Sequence, residues 1–178
     1  MLTREVIVEA LTKLSDELAR RGIIGEINIV GGTAMVLAFS ARLSTKDVDA
    51  IFEPASEVRA AAARIALELN LDNDWLNDSA KGFLSPQGEF SKAAGVELPN
   101  LRILVPTAEY MLAMKVLASR VATGADDTDR RDIAFLIRKL QLRRAEDVMG
   151  IVERYYDPSR IPPRSFYLVR EIIEESTL

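Results

Sequence analysis

The feature that most limits the folds open to this chain is a β-branched run that meets a glycine pair with no spacer. Glu26 to Val30 (EINIV) alternates as a half-buried strand does, and Gly31-Gly32 follows at once. Thr33 to Ser40 (TAMVLAFS) then reads as a short buried helix. Asp47 to Phe52 (DVDAIF) reads as a second strand, stopped by Pro54. Strand, turn, helix and strand in such close succession belong to a mixed α/β core.

The rest of the chain extends that core. Thr3 to Arg21 carries Ile7, Leu11, Leu14 and Leu18 at helical spacing, with Thr3 as N-cap and Gly22 as terminator. Ser56 to Leu69 is a second amphipathic helix, with Val58, Ile65 and Leu69 on one side. Leu71 to Glu97, with Trp75, Gly82, Pro86, Gly88 and Gly95, is irregular and long for a structureless loop, so it should be functional or partly ordered. Leu101 to Val105 (LRILV) is a third strand. Pro106-Thr107 opens a helix to about Val121, with Glu109 in its first turn. Three helices follow, at Asp129 to Leu140, Ala145 to Tyr155 and Pro163 to Glu175. The expected fold class is α+β: a mixed sheet with packed helices over residues 1–106, then a helical part over 107–178, packed together as a single compact unit.

Composition enters through what is missing. The 178 residues include no cysteine and no histidine. Thiol nucleophiles, thiolate metal sites, histidine bases and nearly all zinc chemistry are excluded. Catalysis must use carboxylates, Lys, Arg, hydroxyls, backbone amides or a hard cation held by oxygen. A net charge of −4 argues against broad binding to duplex DNA, which needs a basic face. The N-terminus, with Arg4, Glu5, Glu9 and Lys13, lacks the apolar centre of a signal peptide, and no apolar run approaches a membrane span. The expected location is the cytoplasm, with no membrane partner.

Two elements of the first half carry chemistry. A strand that runs into Gly31-Gly32 and a helix presents backbone amides to an anion, and a missing Cβ lets a phosphate come close. Thr33 adds a hydroxyl. A plain strand–helix turn would also use glycine, for geometry alone. On the next strand, alternation puts Asp47, Asp49 and Ile51 on one face and Val48, Ala50 and Phe52 on the other. Two carboxylates on one face of an apolar strand repel each other unless a cation joins them, and Mg²⁺ takes such oxygen ligands while keeping places for substrate phosphates. A solvated strand end would show the same aspartates.

The segment IVGGTAMVLAFSARLSTKDVDAIF resembles the opening signature of the polymerase-β-like nucleotidyltransferase superfamily. It is most similar to the AbiEii-type toxin nucleotidyltransferases and their small bacterial relatives. There a Gly-Gly turn and a short helix precede an Arg-x-x-Thr-x-Asp-x-Asp segment, here Arg42, Thr45, Asp47 and Asp49. The later LAMKVLASR and DDTDRRDIAFLI resemble that family's lysine helix and following acidic motif, through Lys115, Arg120 and Asp132. The likeness runs from Ile29 to about Leu136.

The resemblance implies transfer of an NMP group from an NTP to an RNA (tRNA or another) or to a protein hydroxyl. Mg²⁺ or Mn²⁺ would sit on Asp47 and Asp49, with the triphosphate on Gly31, Gly32 and Thr33. Lys115 would offset triphosphate charge, as a point charge can. Arg42 would do the same or pair with the aspartates; Lys115 also reads as a polar-face residue on a helix whose core side is Met111, Leu112 and Val116. The superfamily places a third carboxylate on a later strand, but LRILV has none. Glu97 precedes that strand, and Asp126, Asp127, Asp129 and Asp132 follow it, with Asp132 the chosen substitute. The implied biology is the toxin of a toxin–antitoxin or phage-defence pair, with a cognate antitoxin as partner. The alternative is a catalytically inactive nucleotidyltransferase-fold module for binding or an antitoxin-like role.

Other features have two readings each. Trp75 could stack on a base, but a loop aromatic more often plugs a core edge. Arg130, Arg131, Arg138, Lys139, Arg143 and Arg144 form either an RNA-binding patch or a solvated helix face. Tyr155-Tyr156 and Phe166-Tyr167 read most simply as core.

Overall fold

A computed structural model describes residues 1–119 and 128–177. The elements run in the order β1 (Leu2–Thr3), α1 (Arg4–Arg20), β2 (Gly25–Ile29), α2 (Gly31–Leu37), β3 (Ser44–Thr45), β4 (Val48–Glu53), α3 (Ala55–Leu69) and β5 (Leu76–Asn77). They continue with β6 (Phe90–Lys92), β7 (Leu101–Pro106), α4 (Ala108–Ala118), α5 (Thr128–Lys139), α6 (Ala145–Tyr155) and α7 (Pro163–Thr177). The fold is α+β, and its chain divides into two units. One comprises residues 1–82 and 90–106, the other residues 83–89 and 107–178.

The first unit is built on a five-stranded mixed sheet in the order β5-β4-β2-β7-β6. β2 lies at its centre, antiparallel to β4 and parallel to β7. The register puts Phe52, Ile27 and Ile103 in one row across the three strands, all on the buried face. Alternation then fixes the rest: Ile29, Val48, Ala50, Leu101 and Val105 join that face, while Asn28, Asp49 and Ile51 are half-buried on the other. The apolar stripe of α1 (Ile7, Leu11, Leu14, Leu18) is fully buried, and α1 packs against α3 and β7. Thr3 caps α1 as expected, its hydroxyl accepting the Val6 amide at 3.5 Å.

Three expectations need correction in detail. The glycine pair does not precede the short helix but forms its first turn, since the Ala34 amide already reaches back to the Val30 carbonyl at 3.3 Å. That helix also ends at Leu37, ahead of Ser40, which takes a left-handed φ of 51°. Helix α4 starts with Thr107 as N-cap but ends at Ala118; Arg120 and Val121 lie outside the described residues. The irregular stretch from Leu71 is partly ordered, holding β5, β6 and a 3-10 turn at Ser79–Phe83.

In the second unit, α4 packs against α5 and α6, and α7 packs against both of these. Tyr110 and Tyr155 lie with ring centroids 4.9 Å apart, and the short 83–89 segment is tied to them. The Ser85 amide donates to the Tyr110 hydroxyl at 2.8 Å, the Tyr155 hydroxyl donates to Glu89 at 2.9 Å, and the Tyr156 hydroxyl donates to the Phe83 carbonyl at 2.5 Å. Burial pushes all three phenols up from their ordinary value. Tyr155 and Tyr156 are core, but Tyr167 is 57% exposed, because its position on α7 points away from the buried Val169 and Ile172 stripe. Among the described residues, no helix is long and apolar enough to cross a membrane.

Candidate active site

The site begins with one backbone hydrogen bond. The Val30 amide, at the end of β2, donates to the Asp49 carbonyl on β4 at 2.9 Å. That bond sets Gly31 directly beside the Asp49 side chain. Gly31 has a left-handed φ of 62°, and a Cβ placed on it would stand 2.9 Å from Asp49 Oδ2. Only glycine gives both this conformation and this closeness. Gly32 is packed in the same way: a Cβ there would meet Thr45 Oγ1 at 2.5 Å and Arg42 Nη1 at 3.2 Å. The glycine pair thus lies against Asp49, Thr45 and Arg42, residues that come from the loop and strand following α2.

The carboxylates sit as alternation requires. Asp47 and Asp49 are half-buried, flanking a fully buried Val48. Burial, and after it the charge of Asp49, hold the Asp47 carboxyl above its ordinary value; Lys46 opposes this and Asp74 adds to it. Two half-buried carboxylates, of which Asp49 adds to the cost of ionising Asp47, are a donor set a divalent cation would relieve. Both are hard oxygen donors, so they fit Mg²⁺ or Mn²⁺. Among the described residues, no group of three carboxylates is placed to hold a metal; Asp47 and Asp49 would supply two oxygen ligands, with water or substrate oxygens able to add to the shell.

Thr33 occupies a different place from the one its sequence position implies. Its side chain is fully buried, and its hydroxyl donates to the Asp47 carbonyl at 2.7 Å. That proton holds the residue just before β4 against α2 and is not turned towards a phosphate. The hydroxyl of Ser79, which the sequence did not single out, donates to Asp49 Oδ1 at 2.8 Å.

The profile of the family described as "Nucleotidyltransferase of unknown function (DUF6036)" matches residues 6–159. The chain belongs to this nucleotidyltransferase family. The match covers the glycine pair, both aspartates, Lys115 and Asp132. The fold is also similar to that of the antibiotic-resistance factor ANT(2'')-Ia, known from a solution structure, with a TM-score of 0.50 and 16% identity over 97% of this chain and 98% of that one. No curated protein matches the sequence.

Lys115, Asp132 and the basic tail residues of this nucleotidyltransferase lie in its second unit. Lys115 is buried on α4, not on a solvated helix face, and its ammonium contacts Asp129 Oδ1 at 2.7 Å and Asp132 Oδ2 at 2.8 Å. Asp132 is 3% exposed. Such a pair holds only if both members stay, because removing one strands a buried charge. Arg120, Asp126 and Asp127 lie outside the described residues. Of the six basic tail residues, Arg130 pairs with Glu171 and Glu175, and Arg144 with Asp147. Trp75 proves to be core: it is 1% exposed, and its indole N–H donates to the Ala62 carbonyl at 3.0 Å.

Proposed function

We propose that the protein transfers an NMP group from an NTP to a hydroxyl of an RNA or protein acceptor, with a divalent cation on Asp47 and Asp49. The observation that carries this reading is Gly31 lying against Asp49, which would bring a phosphate on the bare glycine backbone into reach of a cation on the aspartate. When bound, Mg²⁺ or Mn²⁺ would stabilise the charge on the attacking and leaving oxygens of an in-line displacement at the α-phosphorus. The chain's own residues would do the rest. Gly31 and Gly32 would offer the triphosphate their backbone amides, the side on which a Cβ would lie being taken by Asp49, Thr45 and Arg42. Arg42, next to Gly32, adds positive charge. Thr33 and the Val30 amide hold β4 in place under the aspartates. Lys115 and Asp132 are a coupled ion pair within the second unit. Their mutual ion pair means that a substitution of either tests both.

The likeness to AbiEii-type toxins supports a finer reading, in which the protein is the toxin of a toxin–antitoxin or phage-defence pair working in the cytoplasm. A non-catalytic binding or antitoxin-like module is the second reading. It is favoured by the two-carboxylate site and by Lys115 holding Asp132.

Thermal stabilisation separates the two. Ligands that bind only the folded state raise the melting temperature, so Mg²⁺ and NTP together should raise it by more than the sum of each alone. Asp49→Ala should abolish that synergy and leave the fold intact. Full synergy in the variant would remove Asp49 from the cation site.

A further inference from the structure

The geometry points to Ser79 as a positioning residue for Asp49, one whose hydroxyl fixes the carboxylate so that Oδ2 faces Gly31 and the cation. This inference rests on the cation reading of Asp49 given above. Ser79 follows Asp49 by thirty positions, and nothing in the motif that contains Asp49 refers to it. Its place is nevertheless built in three steps.

The first is an anchor. Trp75 is buried with its indole N–H on the Ala62 carbonyl, and its own carbonyl accepts the Val48 amide at 2.6 Å. The second is a register. β5 pairs in parallel with β4, so that Asn77 stands opposite Asp49. The third is a turn. The Asn77 side-chain oxygen accepts the Ser79 amide at 3.0 Å, which closes an Asx turn and brings the Ser79 hydroxyl over β4. That hydroxyl reaches Asp49 Oδ1 at 2.8 Å. Asp49 then has one oxygen tied to Ser79 and the other, Oδ2, beside Gly31.

A hydrogen bond from an exposed serine to a half-buried carboxylate contributes little to holding the fold together. Its effect falls on which way the carboxylate points. Groups that orient a metal-binding carboxylate commonly alter metal affinity about 10- to 100-fold when removed.

The test is Mn²⁺ binding by the full chain, read from the loss of the free-ion paramagnetic resonance signal, together with melting temperatures in EDTA. Ser79→Ala should weaken Mn²⁺ binding by about 10- to 100-fold with an unchanged melting temperature in EDTA, and Ser79→Thr should restore it. Asn77→Ala, which removes the turn and keeps the hydroxyl, should weaken binding in the same direction. The inference is overturned if Ser79→Ala binds Mn²⁺ as tightly as wild type while Asp49→Ala does not, in which case the cation reading survives alone. If Asp49→Ala also binds as wild type, or wild type takes up no Mn²⁺, the cation reading and this inference fall together.

Discussion

At the scale of single residues, Asp47 is where local stability and the proposed chemistry pull apart. Burial and the neighbouring Asp49 raise its carboxyl above the ordinary value, so ionising it costs more in the folded state than in the unfolded one. Such a group lowers stability as pH rises from the unfolded value through the folded one, and the cost is fully present above the folded value. Asp47→Asn should therefore melt at or above the wild-type temperature at pH 7 in EDTA. The gap should close as pH falls through the raised folded-state value of Asp47 to the ordinary value of the unfolded chain, where the side chain is protonated in both states. Unfolding of the variant would instead make Asp47 a structural anchor and withdraw the strongest residue-level support for a cation site. Thr33 is the converse case. Its fully buried hydroxyl serves the fold, donating to the Asp47 carbonyl.

At the scale of elements, the segment after α3 depends on one side chain. Trp75 plugs the core edge and its neighbours form β5, so Trp75→Ala should cost about 3–5 kcal/mol of stability, read by urea unfolding. A loss below about 1 kcal/mol would show that Trp75 is not a core residue, since surface substitutions stay in that range. The strands at 25–29, 48–53 and 101–106 were legible in the sequence, because each is a β-branched run long enough to alternate. β5 and β6 were not, since strands of two and three residues carry no periodicity and exist only through their partners β4 and β7. The same limit explains the site. Gly31 beside Asp49 could be read from motifs on consecutive strands, but Ser79 reaches Asp49 only through the β4–β5 pairing, which no local pattern announces. Lys115 looked like a polar helix position because its two carboxylate partners come from α5, across a segment where spacing gives no contact information.

At the scale of the whole molecule, the family places the chain among nucleotidyltransferases, and its net charge of −4 leaves any nucleic-acid contact to local patches. In the proposed function, Asp47 and Asp49 serve a transfer reaction and not merely a fold. The measurement closest to that role is label transfer from each of the four α-³²P NTPs, with Mg²⁺ or Mn²⁺, to total RNA and to protein. Wild-type protein should place label in one of these acceptors, with none in EDTA and none with Asp47→Asn, whose melting temperature in EDTA matches or exceeds that of wild type. Undiminished transfer by a folded Asp47→Asn protein would contradict that role.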